Sequence, residues 1–422
     1  MNPLHASFDR RSLFRFGGAA AVAVAAGSSL AACSAPGTTE EVLRLGVMMP
    51  MSGTNALLGQ ASWEGVEMAV ADRNERGGVA GKRVEVVLAD VPDVNAATSE
   101  ARRLVFNNNI KLGLGTYSSS LSTAASEVFA RTGNSFVELG AVAAGITDRG
   151  YPRVYRINPA STKQTEQALK FTAEVLAPQL GKKPADLKLM MVHEDSNYGQ
   201  SVTASADTNA DALGMSFADH EAYSAKQTDL SSTVARIKQA VPDVILAVSY
   251  ASDAVLLGRQ MRDAGVKVGA FIGIGGGYTL QEFGDALGSA AEGVYDCDFP
   301  QPRLSPDAAP ELAGFLERYE KKYNKFPSSG YPQGNYAGTS YVLDILELTG
   351  GSDDPDVFHE AALKYEAPNS QSVNTWGYKM GPNNQNERSE DYIMQWQDNE
   401  LVTVFPTEVA VSEPKHTSPF GQ

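Results

Sequence analysis

The strongest constraint on this chain is a repeated alternation of short apolar runs with amphipathic stretches, divided by turns rich in Gly, Pro, Ser and Asn. Residues 42–49 (VLRLGVMM) read as a buried strand, and a Pro/Ser/Gly turn leads into an amphipathic helix over 61–76. Strands at 82–89, 111–115 and 135–139 follow, with helices at 96–107 and 121–131 between them. Strands this apolar need cover on both faces, and a helix after each strand supplies it, so the class is α/β with parallel sheets. The alternation restarts after Tyr155-Arg156-Ile157-Asn158-Pro159, with strands at 187–192, 215–223, 244–249 and 270–274 and helices at 199–213, 230–240 and 254–264. Two doubly wound lobes result, and open α/β sheets place ligands at the carboxyl ends of their strands. Helices at 311–323 and 335–348 complete one lobe or the other, and the chain from Pro406 reads as a fraying end.

With 422 residues, 43% of them hydrophobic and 20% charged, the chain can bury a full core and has room for two or three domains. A net charge of −15 disfavours phosphate backbones, so nucleic acid is not an expected partner. The N-terminus reads as an export signal over 1–32: Arg10, Arg11 and Arg15 precede an Ala/Gly-rich apolar run at 16–32, with Asp9 the only acid. Asp9-Arg10-Arg11-Ser12-Leu13-Phe14-Arg15 has the twin-arginine pattern, and a general export signal with two adjacent arginines is the other reading. Leu30-Ala31-Ala32-Cys33 resembles a bacterial lipobox that would acylate Cys33; the plainer alternative is cleavage at small residues with Cys33 incidental. Residues 33–42 would then be the lipidated cysteine and a small polar tether. The expected place is the periplasmic or extracellular face of the cell membrane, held by lipid. Cys297, left without a partner, reads as a small buried hydrophobe.

Enzyme motifs fail on inspection. Gly77-Gly78-Val79-Ala80-Gly81-Lys82-Arg83 is one residue short of a phosphate loop and has Arg83 where Ser or Thr is needed, so it reads as a helix-to-strand turn. Gly273-Ile274-Gly275-Gly276-Gly277-Tyr278 has Tyr in place of the third glycine of a dinucleotide fingerprint and reads as a loop that brings backbone close to the cleft. No G-x-S-x-G elbow occurs, and the five histidines never fall at i,i+4 spacing. Acid pairs such as Glu194-Asp195 read as solvated turns. Neither a cofactor nor a metal site is expected, and the chain does not read as an enzyme.

Taken in order, several segments resemble the branched-chain amino-acid-binding family of ABC-importer receptors, the type I periplasmic binding proteins. They are Leu45-Gly46-Val47-Met48-Met49-Pro50-Met51-Ser52-Gly53, Glu64-Gly65-Val66-Glu67-Met68-Ala69, Asn74-Glu75-Arg76-Gly77-Gly78-Val79-Ala80-Gly81, residues 115–120, residues 147–156 and Asp195-Ser196-Asn197-Tyr198-Gly199-Gln200. The resemblance implies two lobes joined by a three-strand hinge that close on a small molecule. Lobe one would be 43–157 plus 294–374, lobe two 158–293 plus 375–410, and 411–422 a tail. It further implies delivery to an ABC permease in the membrane; a sensor of the same fold, coupled to a membrane signalling protein, is the alternative.

Carried over residue by residue, the resemblance puts a ligand carboxylate against Ser119, with Ser118 and Ser120 beside it, at a helix N-terminus that favours anions. A second anion turn falls at Gly140-Ala141-Val142, where Val142 stands in place of the family's usual threonine. Tyr198 and Tyr250 match the aromatic positions that cover the ligand. Gly275 stands where amino-acid binders carry the acid that pairs with the ammonium. Burying an unpaired ammonium is costly, so either Glu138 or Asp253 substitutes, or the ligand is a carboxylate or amide without an ammonium. The run of glycines at 275–277 slightly favours the second class, because it leaves room for a larger body.

Overall fold

A computed structural model describes residues 41–420. The export signal expected over 1–32 and the lipidated Cys33 lie outside the described residues.

The first lobe is built on a five-stranded, wholly parallel sheet in the order β2-β1-β3-β4-β5. Its strands are β1 (Val42–Met49), β2 (Arg83–Asp90), β3 (Leu112–Gly115), β4 (Ser135–Glu138) and β5 (Val154–Arg156). Helices α1 (Ala56–Glu75), α2 (Val94–Arg102) and α3 (Ser119–Arg131) follow the first three strands. Residues of β3 and β4 are buried throughout, as a sheet covered on both faces requires. Between α1 and β2 the turn Gly77–Gly81 closes with a Val79–Lys82 bridge, and Gly78 and Gly81 sit at φ of +79° and +78°. Those values suit glycine, which explains the run without any phosphate.

The second lobe carries a seven-stranded sheet in the order β14-β13-β10-β9-β8-β6-β7. Its strands are β6 (Leu189–Glu194), β7 (Phe217–Tyr223), β8 (Val244–Val248), β9 (Ala270–Ile274), β10 (Tyr295–Asp298), β13 (Tyr392–Gln397) and β14 (Glu400–Phe405). The pairings from β7 to β10 are parallel, whereas β13 and β14 form an antiparallel edge hairpin, so this sheet is mixed. Its main helices are α4 (Ser161–Phe171), α5 (Asn197–Ala212), α6 (Ser231–Ala240), α7 (Ala251–Asp263) and α8 (Gln281–Leu287). The chain then returns to lobe one as α9 (Leu312–Tyr323), α10 (Tyr331–Leu348) and α11 (Pro355–Lys364), with a small ribbon of β11 (Glu366–Ala367) and β12 (Tyr378–Lys379). Helix α10 packs tightly on α1: a Cβ on Gly65 would stand 2.1 Å from the Pro332 carbonyl.

Two expected boundaries move. Strand β10 stays with lobe two through Asp298, because it pairs with β9 and the Gly275 N–H donates to the Cys297 carbonyl at 2.9 Å. Strand β12 stays with lobe one, where it pairs with β11 and the Tyr378 hydroxyl donates to the Ala362 carbonyl. Three crossings join the lobes, after β5, after β10 and between β12 and β13. The first and third are stitched together: Arg156 Nε donates to Gln385 Oε1 at 2.5 Å, and Gln385 Nε2 donates to the Asn158 carbonyl at 2.8 Å. The segment after Pro406, expected to fray, is tied to lobe two. Phe420 is 1% exposed and meets Phe271 edge-on at 5.0 Å, while Tyr295 and Gln395 both donate to the Lys415 carbonyl.

Candidate functional site

One small cavity lies where the lobes meet. Tyr117, Ser119, Gly140, Val142 and Tyr331 line it from lobe one, and Gln164, Tyr198, Tyr250, Gly275 and Gly276 from lobe two. Its volume is about 20 Å³, room for water only. Entry of anything larger requires the lobes to part or the tyrosines to swing, the hinge motion expected of a two-lobed binder. Polar contacts cross the cleft at three points: Ser118 Oγ and the Tyr250 hydroxyl are 3.1 Å apart, Asn197 donates to Thr123 at 3.1 Å, and the Ala144 N–H donates to Ser201 at 2.9 Å.

The lobe-one wall is made of donors. Strand β3 ends in a tight turn, and α3 starts at Ser119, so the free N–H groups of its first turn face the cleft beside the Ser119 hydroxyl. Ser118 occupies the capping position, yet its hydroxyl reaches Tyr250 instead of capping the helix. Ser119 Oγ accepts the Ala143 N–H at 3.2 Å, which ties α3 to the 140–143 turn. Among the described residues the Val142 N–H has no hydrogen-bond partner, and Val142 lines the cavity.

Glu138 does something other than meet a ligand. Its carboxyl is fully buried below that wall and accepts N–H bonds from Thr116 (2.7 Å), Tyr117 (3.3 Å), Leu139 (3.1 Å), Gly140 (2.8 Å) and Ala141 (2.7 Å). Burial pushes this carboxyl up from its usual range, and backbone donors from Ala141, Gly140 and Thr116 pull it back. The Gly140 amide, expected with that of Val142 to grip a ligand carboxylate, is therefore committed to an internal one, as is the Ala141 amide. Of that turn only Val142 keeps a free donor. Tyr117 is held at φ +92° over this carboxylate, an uncommon conformation for a residue with a side chain.

The other wall is aromatic. Tyr117 meets Tyr331 at 5.3 Å and Tyr250 at 6.3 Å, and Tyr198 meets Tyr250 at 5.4 Å between ring centroids. The Tyr198 hydroxyl donates to the Ile274 carbonyl at 2.5 Å. It fills the space an acid would need, since a Cβ on Gly275 would stand 2.1 Å from it, at a backbone φ of +76°. A Cβ on Gly276 would strike Leu58, and one on Gly277 the Ser249 carbonyl. The glycine run thus admits protein atoms, which corrects its reading as space for a bulkier ligand.

Asp253 is no substitute either. It is buried in lobe two, accepts the Tyr223 hydroxyl at 2.6 Å, and is pushed up to about 7 by burial. Tyr223 in turn reaches Ser249, which meets Tyr278 at 2.7 Å, so Asp253 belongs to a polar network behind the cavity. Glu194, read as a solvated turn residue, is fully buried and fixes the start of α5 by accepting from Ser196 and Gly199. Tyr117, Tyr331 and Gln164 line the cavity and escaped the sequence reading; Tyr117 alone had a signal, its place beside the serines. Nothing in the lining pairs a nucleophile with a base.

A pair of α/β lobes, hinged by three crossings and closing on a cavity with anion donors on one wall, defines a two-lobed solute-binding protein. The chain belongs to the periplasmic binding protein family, whose model matches residues 42–400. It is 40% identical over 387 residues to a Leu/Ile/Val-binding protein homolog 7 of Brucella suis biovar 1 (strain 1330), covering 92% of this chain and 96% of that protein. It is 38% identical over 372 residues to a homolog 8 of Brucella abortus (strain 2308), covering 88% and 92%. The fold matches a leucine-binding protein of Thermotoga maritima with TM-score 0.75 at 21% identity, over 86% of this chain and 97% of that one. It also matches a solute-binding protein of R. palustris in complex with benzoate, with TM-score 0.74 at 18% identity, over 89% and 98%.

Proposed function

We propose that this chain is the extracytoplasmic substrate-binding component of an ABC importer, taking a small organic carboxylate into the interlobe cleft and presenting the closed form to a membrane permease. The observation that carries the reading is the convergence of the Ser119 hydroxyl, the α3 N-terminus and the unpartnered Val142 N–H on one cavity between hinged lobes. A molecule bridging the two walls favours the closed state by its differential affinity, which is the signal a permease can read. The names of the Brucella relatives support an aliphatic amino acid, while the benzoate complex on the same fold supports an aromatic acid. The reading is non-catalytic, so the ligand would be recovered chemically unchanged.

Thermal unfolding against leucine, valine, alanine, urea, short amides and benzoate-type acids tests this. A specific ligand at 100 times its Kd adds about 2.7 kcal/mol and shifts the midpoint visibly. Stabilisation by at least one carboxylate, lost in Ser119→Ala, is the expected result. A panel with no stabilising carboxylate sinks the reading. The membrane attachment is tested separately by the mass of the chain recovered from membranes: Cys33 should carry lipid, and Cys33→Ala should release the protein in soluble form.

A further inference from the structure

The lining of the interlobe cavity carries no charged side chain, and one buried acceptor in it has no donor. Gln164, on α4, is 0% exposed and lines the cavity from lobe two. Its Nε2 donates to the Cys297 carbonyl at 3.2 Å, and that carbonyl also takes the Gly275 N–H at 2.9 Å. Turning the amide over would set two oxygens against each other, so Cys297 fixes which end is which. Oε1 is left buried with no hydrogen-bond partner among the described residues. Neighbouring hydroxyls are spent elsewhere: Tyr198 donates to the Ile274 carbonyl, Tyr250 meets Ser118, and Tyr331 turns to Asp298.

A buried acceptor left unpaired costs free energy, and a site built around one rejects ligands that cannot supply its donor. When the lobes part, water satisfies Oε1; when they close on a ligand, the ligand must. The acceptor is a neutral amide, so its best partner is a neutral O–H. An ammonium would be buried with no counter-charge in the lining, which costs far more than burying a hydroxyl. We propose that Gln164 Oε1 is the specificity-determining group of the cleft and selects a hydroxy acid, a carboxylate that carries an uncharged hydroxyl, over the bare acid and over the amino acid of the same skeleton. Gln164 thus answers Ser119 from the other lobe: one residue meets the ligand's carboxylate, the other its hydroxyl. This rests on the carboxylate-binding reading above and narrows it to one ligand class.

Titration calorimetry tests this with three acids of one skeleton, 4-methylpentanoate, 2-hydroxy-4-methylpentanoate and L-leucine, and with benzoate and 4-hydroxybenzoate, which move the hydroxyl to the far end. In one skeleton or both, the wild-type protein should bind the hydroxy acid at least about tenfold more tightly than the bare acid, equivalent to about 1.4 kcal/mol. Leucine should bind less tightly than its hydroxy counterpart. A smaller gain in both skeletons, or leucine as the tighter ligand, overturns the proposal and leaves the carboxylate reading standing. Failure of all five acids to bind removes the proposal together with that reading. In Gln164→Met, which keeps the length and removes the acceptor, the hydroxyl gain should fall below about twofold while affinity for the bare acid changes by less than about twofold. Equal weakening of both acids would make Gln164 a structural residue and overturn the proposal. A crystal structure of the wild-type protein with its tightest hydroxy acid decides the matter even if Gln164→Met does not fold: the ligand hydroxyl should lie within about 3.0 Å of Gln164 Oε1, and a hydroxyl bonded elsewhere overturns the assignment.

Discussion

The two walls of the cleft use opposite chemistry, and they were assembled differently. The donor wall comes from one continuous stretch, residues 115–143, in which a strand end, a helix start and a second turn offer N–H groups and a serine hydroxyl. The facing wall comes from α4, the starts of α5 and α7, the glycine turn after β9 and the start of α10, brought together only by the chain's crossing between lobes. The donor wall already proves its taste for anions, since Glu138 satisfies five of its N–H groups from below. The facing wall is aromatic, with the Gln164 amide oxygen left unmatched in it. A local wall can be read from a motif; a wall of distant residues can be read only from the fold.

The harshest way to break this contrast is Glu138→Gln. An amide NH₂ would point donors at donors and remove the charge that the turn is wrapped around. We expect a loss of about 3 kcal/mol, seen as a lower denaturant midpoint, together with weakened carboxylate binding as the 140–142 turn relaxes. An unchanged midpoint would mean that the donor wall is held by something other than its internal anion.

Next in size is a pH effect that separates acids of the fold from acids of the cleft. Asp253 is pushed up to about 7 in the folded protein, against about 3.9 in an unfolded chain. Between those values the folded state keeps a proton that the unfolded chain gives up, so stability present below about pH 4 is lost as pH rises through about 7. Asp253→Asn removes this loss, and relative to wild type it should gain on the order of 2 kcal/mol between pH 4 and 8 once some relaxation around the buried group is allowed. Its carboxylate affinity should stay as in wild type, because Asp253 sits behind the cavity. A parallel pair of stability–pH curves would contradict the assignment.

Ser119→Ala tests the donor wall itself. It removes a hydroxyl from the ligand side and one acceptor from the Ala143 N–H, and should weaken carboxylate binding about tenfold, or about 1.4 kcal/mol, by titration. The apo midpoint should fall by about 1 kcal/mol at most, since the helix start keeps its backbone donors.

What the sequence made legible follows the same division. The apolar runs of β1, β8 and β9 announce themselves, because a strand covered on both faces reads as a short continuous apolar run. Helix α4 does not: its buried face holds Ser161, Gln164 and Thr165, a polar stripe that mimics an exposed one. It packs near the hinge, where hydrogen bonds replace apolar contact, and so it hid Gln164. Ser119, Tyr198, Tyr250 and Gly275 lie beside strand ends, where open sheets gather their ligand residues, and all four line the cavity. Glu138 and Asp253 also lie at or beside strand or helix ends, yet point into backbone or lobe core, a difference of one side-chain direction that spacing cannot express. Asp296 and Asp298 alternate in a Tyr-Asp-Cys-Asp run, and only the fold shows that both are fully buried with carboxyl oxygens left without partners.

The smallest effect belongs to the seam where the walls touch. Tyr250 brings its hydroxyl to 3.1 Å from Ser118 Oγ across the cleft, one of the few polar contacts made only when the lobes meet. Tyr250→Phe keeps the ring that packs on Tyr117 and Tyr198 and removes this bond alone. A neutral, partly solvated hydrogen bond is worth about 0.5–1.5 kcal/mol, and both partners regain water when the lobes open, so the lower end applies. Ligand affinity should therefore drop only about two- to threefold, and the loss should appear as faster dissociation with an unchanged association rate, because the bond forms after the ligand has entered. A slower association rate instead would place Tyr250 on the path of entry, as a gate to the cavity and not its latch.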